Sequence, residues 1–405
     1  MKRTVLGILA LAITAAQANA ETATPTQFVI TEKPDVKAIQ QSPERTLQID
    51  KALLLSLLQP PDPDPAMNAP DKGAWQLFVQ VNAPAATAGN NNVLFETWAS
   101  DQDTFTQNPV WPTTPTGSKI LVTPALSQFA PRVRGLRPHM TPGGSEETRR
   151  NQDAFEFIKI TKLFTKAGLR AAFAAKKVVS FPIDAIEVKA NWVPASTVDA
   201  SKYHVNTASD GKQYALVSLH IISKQIPNWT WATFEHQDNK GRCDFIGCHD
   251  AFGATQADVP AKTPVGGTYP ACTKTAGLQK MMTGGKLEAA FANYCLKGSQ
   301  VDFTTATGLP TRLGNSVPEA GFVLTSSCIT CHSRASTDAT GGSPQGAGFV
   351  NPPIASLCPV PNNNCAPSGT PNPAWFWNNP GKPNQSIKTL VMDFVWAIPL
   401  RAIGP

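Results

Sequence analysis

The sequence lacks any hydrophobic run long enough to cross a membrane, and the apolar run over residues 5–16 is also too short. A transmembrane helix needs roughly eighteen or more predominantly apolar residues, and no stretch after Glu21 has that character. The residue directly after Ala20, the predicted cleavage position, is Glu21 and not cysteine, which argues against a lipid-anchored start. These absences predict a chain that does not span a membrane.

Charged residues are also scarce. They make up 16% of the chain, against about 25% in a typical soluble domain. Together with 36 prolines, this composition favours a loop-rich body over a helical bundle. The net charge of +6, which falls by two if Lys2 and Arg3 are removed, is mild and scattered, so it does not indicate a nucleic-acid partner.

The N-terminus has the pattern of a secretory signal peptide. Lys2 and Arg3 precede an apolar run over residues 5–16, and Ala18, Asn19 and Ala20 provide a small-residue cleavage site. The pattern predicts that residues 1–20 are removed on export, which would make the mature protein periplasmic or extracellular.

Strand-like alternation predicts one mostly antiparallel sheet. The runs are residues 178–192, 214–222, 229–236 and 388–398, the last closing the sheet. In the third run, Trp231, Thr233 and Glu235 share one face. Helical spacing favours helices over residues 44–59, 92–105, 278–282 and 286–296. Another helix is predicted to begin at Ser145, with Phe157, Ile160 and Phe164 on one face.

These patterns divide the chain into three parts. Residues 1–20 are the signal peptide, residues 21–177 a mainly helical region, and residues 178–405 a sheet-containing region with a tail rich in Pro, Gly and Asn. The eight cysteines are an even number in an oxidising compartment, where disulfides are the default. Cys358 and Cys365 are expected to close a local loop in the tail.

The most specific motif is residues 327–332, SCITCH. On a helix, Cys328, Cys331 and His332 lie on one side, so both thiols can reach the vinyl groups of one porphyrin while the imidazole meets its iron. A capping box at Ser316 and Glu319 predicts a helix whose last turn carries this motif. The pattern is typical of covalent haem attachment.

Other interpretations of the cysteines remain open. A dithiol redox site or half of a zinc site are the alternatives for the motif, although its flanks lack a βαβ pattern and a second ligand pair. Cys243, Cys248 and His249 form a widened motif that is a candidate second haem site. In the alternative, Cys243 and Cys248 form disulfides with Cys272 and Cys295 or with each other.

The second axial ligand of the iron is not determined by the sequence. Electron carriers fill this position with Met or His, whereas an open position indicates binding or catalysis. His139 and Met140 are candidates on a predicted loop, and Met392 is a candidate that also fits a core strand. The other histidines outside the two cysteine motifs are His204, His220 and His236.

Residues 231–239, WATFEHQDN, followed by residues 326–335, SSCITCHSRA, resemble a group of large secreted bacterial cytochrome c family proteins. The resemblance covers about the second half of the chain and implies haem attachment and electron transfer, with no named substrate. In a small all-α cytochrome c domain the motif lies near the start, whereas here it lies late. We therefore expect an α+β fold with peripheral helices and long Pro/Gly-rich loops.

Two functions follow as hypotheses. The first is an electron carrier with one haem per chain, or two if the widened motif is used. The second is a haem-dependent oxidoreductase acting on peroxide, oxygen or a small organic substrate, suggested by the large body. The redox partner is not identified; Arg132, Arg134 and Arg137 form a basic cluster that is either solvated surface or a contact for haem propionates or an acidic partner.

Overall fold

The fold is described from a computed structural model of the chain. It describes residues 63–85, 92–112, 145–208, 210–262, 266–320, 322–346, 348–350, 365–366 and 369–405. The predicted signal peptide, the predicted helix over residues 44–59, the basic cluster, His139, Met140 and Cys358 lie outside these residues. Within the described ranges, no helix has the length and apolar character needed to cross a bilayer.

A seven-stranded antiparallel sheet lies at the centre of the described part. Its strands follow the order β1 (Ala99–Ser100), β2 (Ser145–Arg150), β3 (Ile186–Pro194), β5 (Gln213–Ser223), β6 (Thr230–His236) and β9 (Tyr294–Gln300), with β4 (Val205–Thr207) also paired to β5. The predicted α+β fold with a mostly antiparallel sheet is confirmed.

Helices and two-residue strand pairs lie outside the sheet. The helices are α1 (Pro63–Asn68), α2 (Pro70–Val81), α3 (Asp101–Thr104), α4 (Gln152–Ile160), α5 (Lys166–Ala174), α6 (Ala276–Gly284), α7 (Cys328–His332) and α8 (Ala397–Arg401). The strand pairs are β7 (Cys248–His249) with β8 (Asp258–Val259), β10 (Ser336–Thr337) with β15 (Leu390–Val391), β11 (Phe349–Val350) with β12 (Cys365–Ala366), and β13 (Trp377–Asn378) with β14 (Ser386–Ile387).

The two faces of the sheet carry different side chains because successive residues of a strand point to opposite sides. One face packs against α2, where the Trp75 ring lies 4.9 Å from that of Phe234 in β6. The other face presents Ile222 and Trp231 to a second core, which includes Ile329 of α7. The second face therefore positions the cysteine-containing helix.

The prediction that a helix begins at Ser145 is wrong. Residues Ser145–Arg150 form β2 and pair with β3 along their whole length, so tertiary pairing overrides the local helical pattern. Helix α4 starts after Asn151, whose side chain accepts from Ala154 N at 3.2 Å. Its buried residues are Ala154, Phe155 and Ile158, while Ile160 is exposed.

The edge of the sheet also differs from expectation. Residues 286–296 were predicted to be helical, but a 3-10 turn at Ala289–Asn293 leads into β9, which pairs with β6. The predicted C-terminal strand is only Leu390–Val391, and it pairs with β10 rather than with the main sheet. The strands expected at 214–222 and 229–236 are confirmed as β5 and β6.

Candidate functional site

Helix α7 is a separate five-residue helix, not the end of a longer one as predicted. Its N-cap is Ser327, whose hydroxyl accepts from Thr330 N at 3.5 Å. The capping box before it does not form because Glu235 of β6 binds both the backbone N–H and the hydroxyl of Ser316. Ser316 is thereby used in a tertiary contact, and Glu319 does not cap a helix.

Both ends of α7 are fixed to the rest of the molecule. Gln300 in β9 donates to the Ser327 hydroxyl at 3.2 Å and accepts from Ile329 N at 3.3 Å. At the other end, the Trp396 indole N–H donates to the carbonyl of Cys331 at 3.2 Å. The motif therefore lies on a rigid support, although the helix itself is short.

Cys328 and Cys331 are free thiols. Both residues are partly exposed. Their thiol groups are nevertheless desolvated by the surrounding protein, and this desolvation raises the pKa of each thiol. Reactive dithiol sites depend on a lowered thiol pKa. The surroundings are thus a poor fit to a dithiol redox site and remain compatible with thioether attachment.

His332 has the hydrogen-bond pattern of a metal-ligating histidine. Its Nδ1 lies 2.8 Å from the carbonyl oxygen of Phe394, which can only accept, so the proton is on Nδ1 and Nε2 carries a lone pair. Burial lowers the pKa of His332 to about 4, so the ring is neutral at pH 7. The Trp231 ring lies 4.7 Å from the imidazole and restrains it.

A turn with two left-handed residues presents the Phe394 carbonyl to His332. Asp393 and Phe394 have φ of 46° and 70°, a conformation that non-glycine residues rarely adopt. The Asp393 carboxylate accepts from Phe181 N and from Lys224 Nζ, each at 2.7 Å. These two bonds hold the turn in place.

A row of polar side chains crosses the sheet next to α7. Lys189 of β3 pairs with His220 of β5, which pairs with Thr233 of β6, so the three residues share one face. His220 Nε2 lies 3.3 Å from Glu319 Oε2. Burial would raise the pKa of Glu319, but the positive charges of His220 and Lys189 outweigh it and lower the pKa to about 2.

The four cysteines between residues 243 and 295 form two disulfides. Cys243 is bonded to Cys248, with their Cα atoms 5.0 Å apart, and Cys272 to Cys295. The predicted second haem at Cys243 and Cys248 is corrected accordingly, because the disulfide leaves neither sulfur for a thioether. His249 is exposed, and its Nδ1 lies 2.7 Å from Asp258.

The other axial candidates lie in different surroundings. Met392 is fully buried in the core that contains Ile329 and Leu390, which fits a packing role. His204 lies between Glu96 and Glu288, at 3.4 and 2.7 Å.

Both ring nitrogens of His236 also have hydrogen-bond partners. It stacks on Tyr203 with ring centroids 3.6 Å apart, and its two nitrogens interact with Lys202 O and Asp238 N. Neither His204 nor His236 has a ring nitrogen left for iron.

Across the described ranges, no group of three or more His, Cys, Asp or Glu side chains is arranged to hold a bare metal ion. A tetrahedral zinc site at Cys328 and Cys331 would need two more ligands of this kind. The donor set of two thiols and one imidazole with a free Nε2 fits a haem, because the porphyrin supplies the remaining ligands of the iron.

Sequence reasoning identified the two thiols and His332 but missed the residues that support them. Gln300 and Phe394 act through a long-range side-chain contact and a backbone carbonyl, for which the sequence carries no local signal. His220 was noted only as a remaining histidine. Its place beside the motif depends on strand register, which alternation alone does not define.

Comparison with protein-family models, curated proteins and solved structures finds no match to this chain. The resemblance to large secreted cytochrome c proteins therefore stays a prediction that rests on residues 231–239 and 326–335.

Proposed function

We propose that this chain is an exported c-type cytochrome that transfers electrons, with one haem attached through Cys328 and Cys331 and with His332 on the iron. The observation that supports it most is the pairing of two free thiols with an imidazole whose Nδ1 is bonded to Phe394 O and whose Nε2 is unused. When bound, the haem supplies one-electron redox chemistry.

The chain's own residues would attach, orient and shield that group. Gln300 and Trp396 hold the helix that bears the thiols, and the Phe394 carbonyl keeps His332 in one tautomer. A hydrogen bond from Nδ1 raises the basicity of a ligating imidazole and favours the ferric state. The packing of Trp231 and Phe394 near His332 limits water around the ligand.

The test is the haem content of the mature protein, produced by export together with a cytochrome maturation system. We expect about one haem per chain by pyridine haemochrome, retained on a denaturing gel. The variant Cys328→Ser/Cys331→Ser should carry no covalent haem. The matched control is Cys243→Ser/Cys248→Ser, which removes the other closely spaced pair and should keep the wild-type content.

Two other outcomes of the haem measurement would contradict the proposal. A content near two that falls to one in the control variant would reinstate the second haem at Cys248 and His249. Zero haem in the exported wild-type protein, with the chain folded by circular dichroism, would end the cytochrome proposal.

A second candidate function, a haem-dependent oxidoreductase, is favoured by one observation. Glu319, whose pKa is lowered to about 2, lies 3.3 Å from His220 beside the motif, and a carboxylate–imidazole pair is an arrangement that can move protons near an open iron position. This function requires that the reduced protein bind carbon monoxide readily. A protein that carries haem but does not bind carbon monoxide would contradict it.

A further inference from the structure

The disulfide between Cys243 and Cys248 has a buried arginine against both of its sulfur atoms. Arg242 Nη1 donates to Cys243 Sγ at 3.4 Å and to Cys248 Sγ at 3.7 Å. Its Nη2 donates to the carbonyl of Pro270 at 2.8 Å. Because only 1% of Arg242 is exposed, the guanidinium presents its positive charge to the two sulfurs inside the protein.

The charge of Arg242 lacks a dedicated counter-ion. Its Nε is buried without a hydrogen-bond partner, and within the described ranges the guanidinium forms no ion pair. Glu235 acts on it electrostatically, but that carboxylate already accepts from Ser316 N at 2.8 Å and lies 3.6 Å from Lys297 Nζ. A buried charge without a partner is costly, and burial lowers the pKa of Arg242.

The reduced form of the cysteine pair would supply the missing negative charge. A disulfide sulfur is neutral and accepts hydrogen bonds weakly, whereas a thiolate is a full anion. A thiolate on Cys243 would lie beside Arg242 Nη1, which is 3.4 Å from its sulfur. The carbonyl oxygen of Arg242 lies 3.6 Å from Cys248 Sγ and can accept only from a thiol S–H. The surroundings therefore suit one thiolate and one thiol better than they suit the disulfide.

The two cysteines differ in their access to solvent. Cys243 is fully buried, whereas Cys248 in β7 is 8% exposed and follows the half-buried Ile246 and Gly247. Tyr269 packs with both cysteines in a small apolar cluster, where the charge of a guanidinium acts more strongly than it would in water. Cys248 is therefore the sulfur that an incoming thiolate would attack, and Cys243 would be the leaving group next to Arg242.

We propose that Cys243 and Cys248 form a redox centre separate from the haem motif, a dithiol–disulfide couple that exchanges two electrons with thiol compounds. A first thiolate attacks Cys248 Sγ, the bond between the two cysteine sulfurs breaks, and Cys243 leaves as a thiolate beside Arg242. A second thiolate then attacks the sulfur of the first thiol in the mixed disulfide and releases Cys248, which takes a proton from water. Two thiols are thereby oxidised to one disulfide while the protein pair is reduced.

Arg242 should make this disulfide easier to reduce. A cation beside a thiol lowers the thiol pKa and stabilises the reduced form, which raises the reduction potential of the pair. The loop that the bond closes is also short, since Cys243 and Cys248 are 5 residues apart while Cys272 and Cys295 are 23 apart. Closing a short loop stabilises a fold less. We therefore expect the pair to open in glutathione redox buffers, which structural disulfides resist.

The experiment equilibrates the full mature protein with a series of glutathione buffers, quenches with acid and labels free thiols with a maleimide. Mass spectrometry of the peptides then reads Cys243 and Cys248 separately from the other cysteines. Arg242→Met, which removes the charge but keeps an unbranched side chain, should shift the midpoint toward more reducing buffer. We expect at least about a tenfold change in the equilibrium constant, or about 30 mV. Arg242→Gln also removes the charge and provides the test if the methionine variant fails to fold.

The matched control is Lys240→Gln, which removes an exposed positive charge two residues from Arg242 and should leave the midpoint unchanged. Three results would overturn the inference. They are a pair that stays closed throughout the series in the folded wild-type protein, a midpoint unchanged in a folded Arg242 variant, and an equal shift in Lys240→Gln. The inference does not depend on haem attachment, so absence of haem would contradict the proposed function and leave this redox centre to be tested.

Discussion

Three histidines of the described part show that hydrogen-bond partners decide what a ring can do. His332 donates from Nδ1 to a carbonyl and keeps Nε2 unused. His236 donates to Lys202 O and accepts from Asp238 N, so it is held neutral, and burial lowers its pKa to about 4. Only the first arrangement leaves a nitrogen that can bind a metal.

His204 represents the third case, a charged ring. Burial alone would lower the pKa of His204, but the charge of Glu96 and the hydrogen bonds of Glu288 and Glu96 outweigh it and raise the pKa to about 9. The ring also stacks on Phe291, with centroids 5.1 Å apart. A raised pKa means that the folded state holds this proton more tightly than the unfolded chain does.

The stability contributed by His204 should therefore depend on pH. It is fully present below the unfolded pKa of about 6.5 and is lost as pH rises through about 9. We expect His204→Gln to lower the free energy of unfolding by about 3 kcal/mol at pH 6, and by clearly less at pH 9.5.

Urea titrations of wild type and variant at both pH values measure the difference. His249→Gln is the matched control, because that side chain is exposed and should change stability by less than about 0.5 kcal/mol. An equal loss at both pH values would show that the ring packs without carrying charge.

At the scale of elements, the segment that contains β15 shows where a sequence pattern alone does not predict the structure. Residues 388–398 alternate like a strand, but extension stops at Val391 because Asp393 and Phe394 adopt positive φ. The reason is tertiary: Asp393 binds Phe181 N and Lys224, which lie far away in the chain. No local signal encodes such partners.

The difference between local signals and long-range contacts also explains which features the sequence predicts. Strands β5 and β6 are buried on both faces or nearly so, and their β-branched and aromatic residues mark them clearly. The spacing of Cys328, Cys331 and His332 needs only one helical turn, so it was recognised without the fold. The supporting contacts of α7 come from β9 and from the turn at Asp393 and Phe394 (the Phe394 turn). Both depend on long-range packing.

The Phe394 turn should tune the proposed haem through His332. Asp393→Asn keeps the side-chain shape but removes the charge that pairs with Lys224 and one of the two acceptor oxygens. If the turn loosens, the bond from His332 Nδ1 to Phe394 O weakens and the imidazole becomes less basic. We expect the reduction potential to rise, as measured by a spectroelectrochemical titration.

Asp338→Asn is the control for that variant, because Asp338 holds only a surface turn through Thr340 and Gly342. Its potential should equal that of the wild type. A variant at Asp393 that is less stable but has an unchanged potential would show that the turn supports the fold and does not position His332.

At the scale of the whole molecule, one sheet separates two kinds of environment. The face toward α2 is apolar and aromatic, while the face toward α7 also carries Lys189, His220 and Glu235. Buried charges are destabilising unless they are paired. Here each of the three has an ion-pair partner on another segment, which is Glu146 for Lys189, Glu319 for His220 and Lys297 for Glu235. Even when paired, buried charges are often less stabilising than apolar side chains of similar volume. Their presence on this face supports a role for it in the site beside α7.

The disulfides should serve the fold and leave the haem site unaffected. Cys272–Cys295 spans 23 residues and joins the segment before α6 to β9, whereas Cys243–Cys248 spans 5. Loop-closure entropy predicts that the double alanine variants lose about 3 and about 2 kcal/mol of unfolding free energy. Denaturant titrations of the mature protein measure both losses.

Neither double variant should change the haem content, because the thiols that attach it belong to Cys328 and Cys331. The order of the two losses tests the entropic origin, since the longer loop gains more from closure. A larger loss for the shorter loop would point to native packing around Cys243 and Cys248 as the cause. A drop in haem content in Cys272→Ala/Cys295→Ala would show that β9, through Gln300, couples this disulfide to α7.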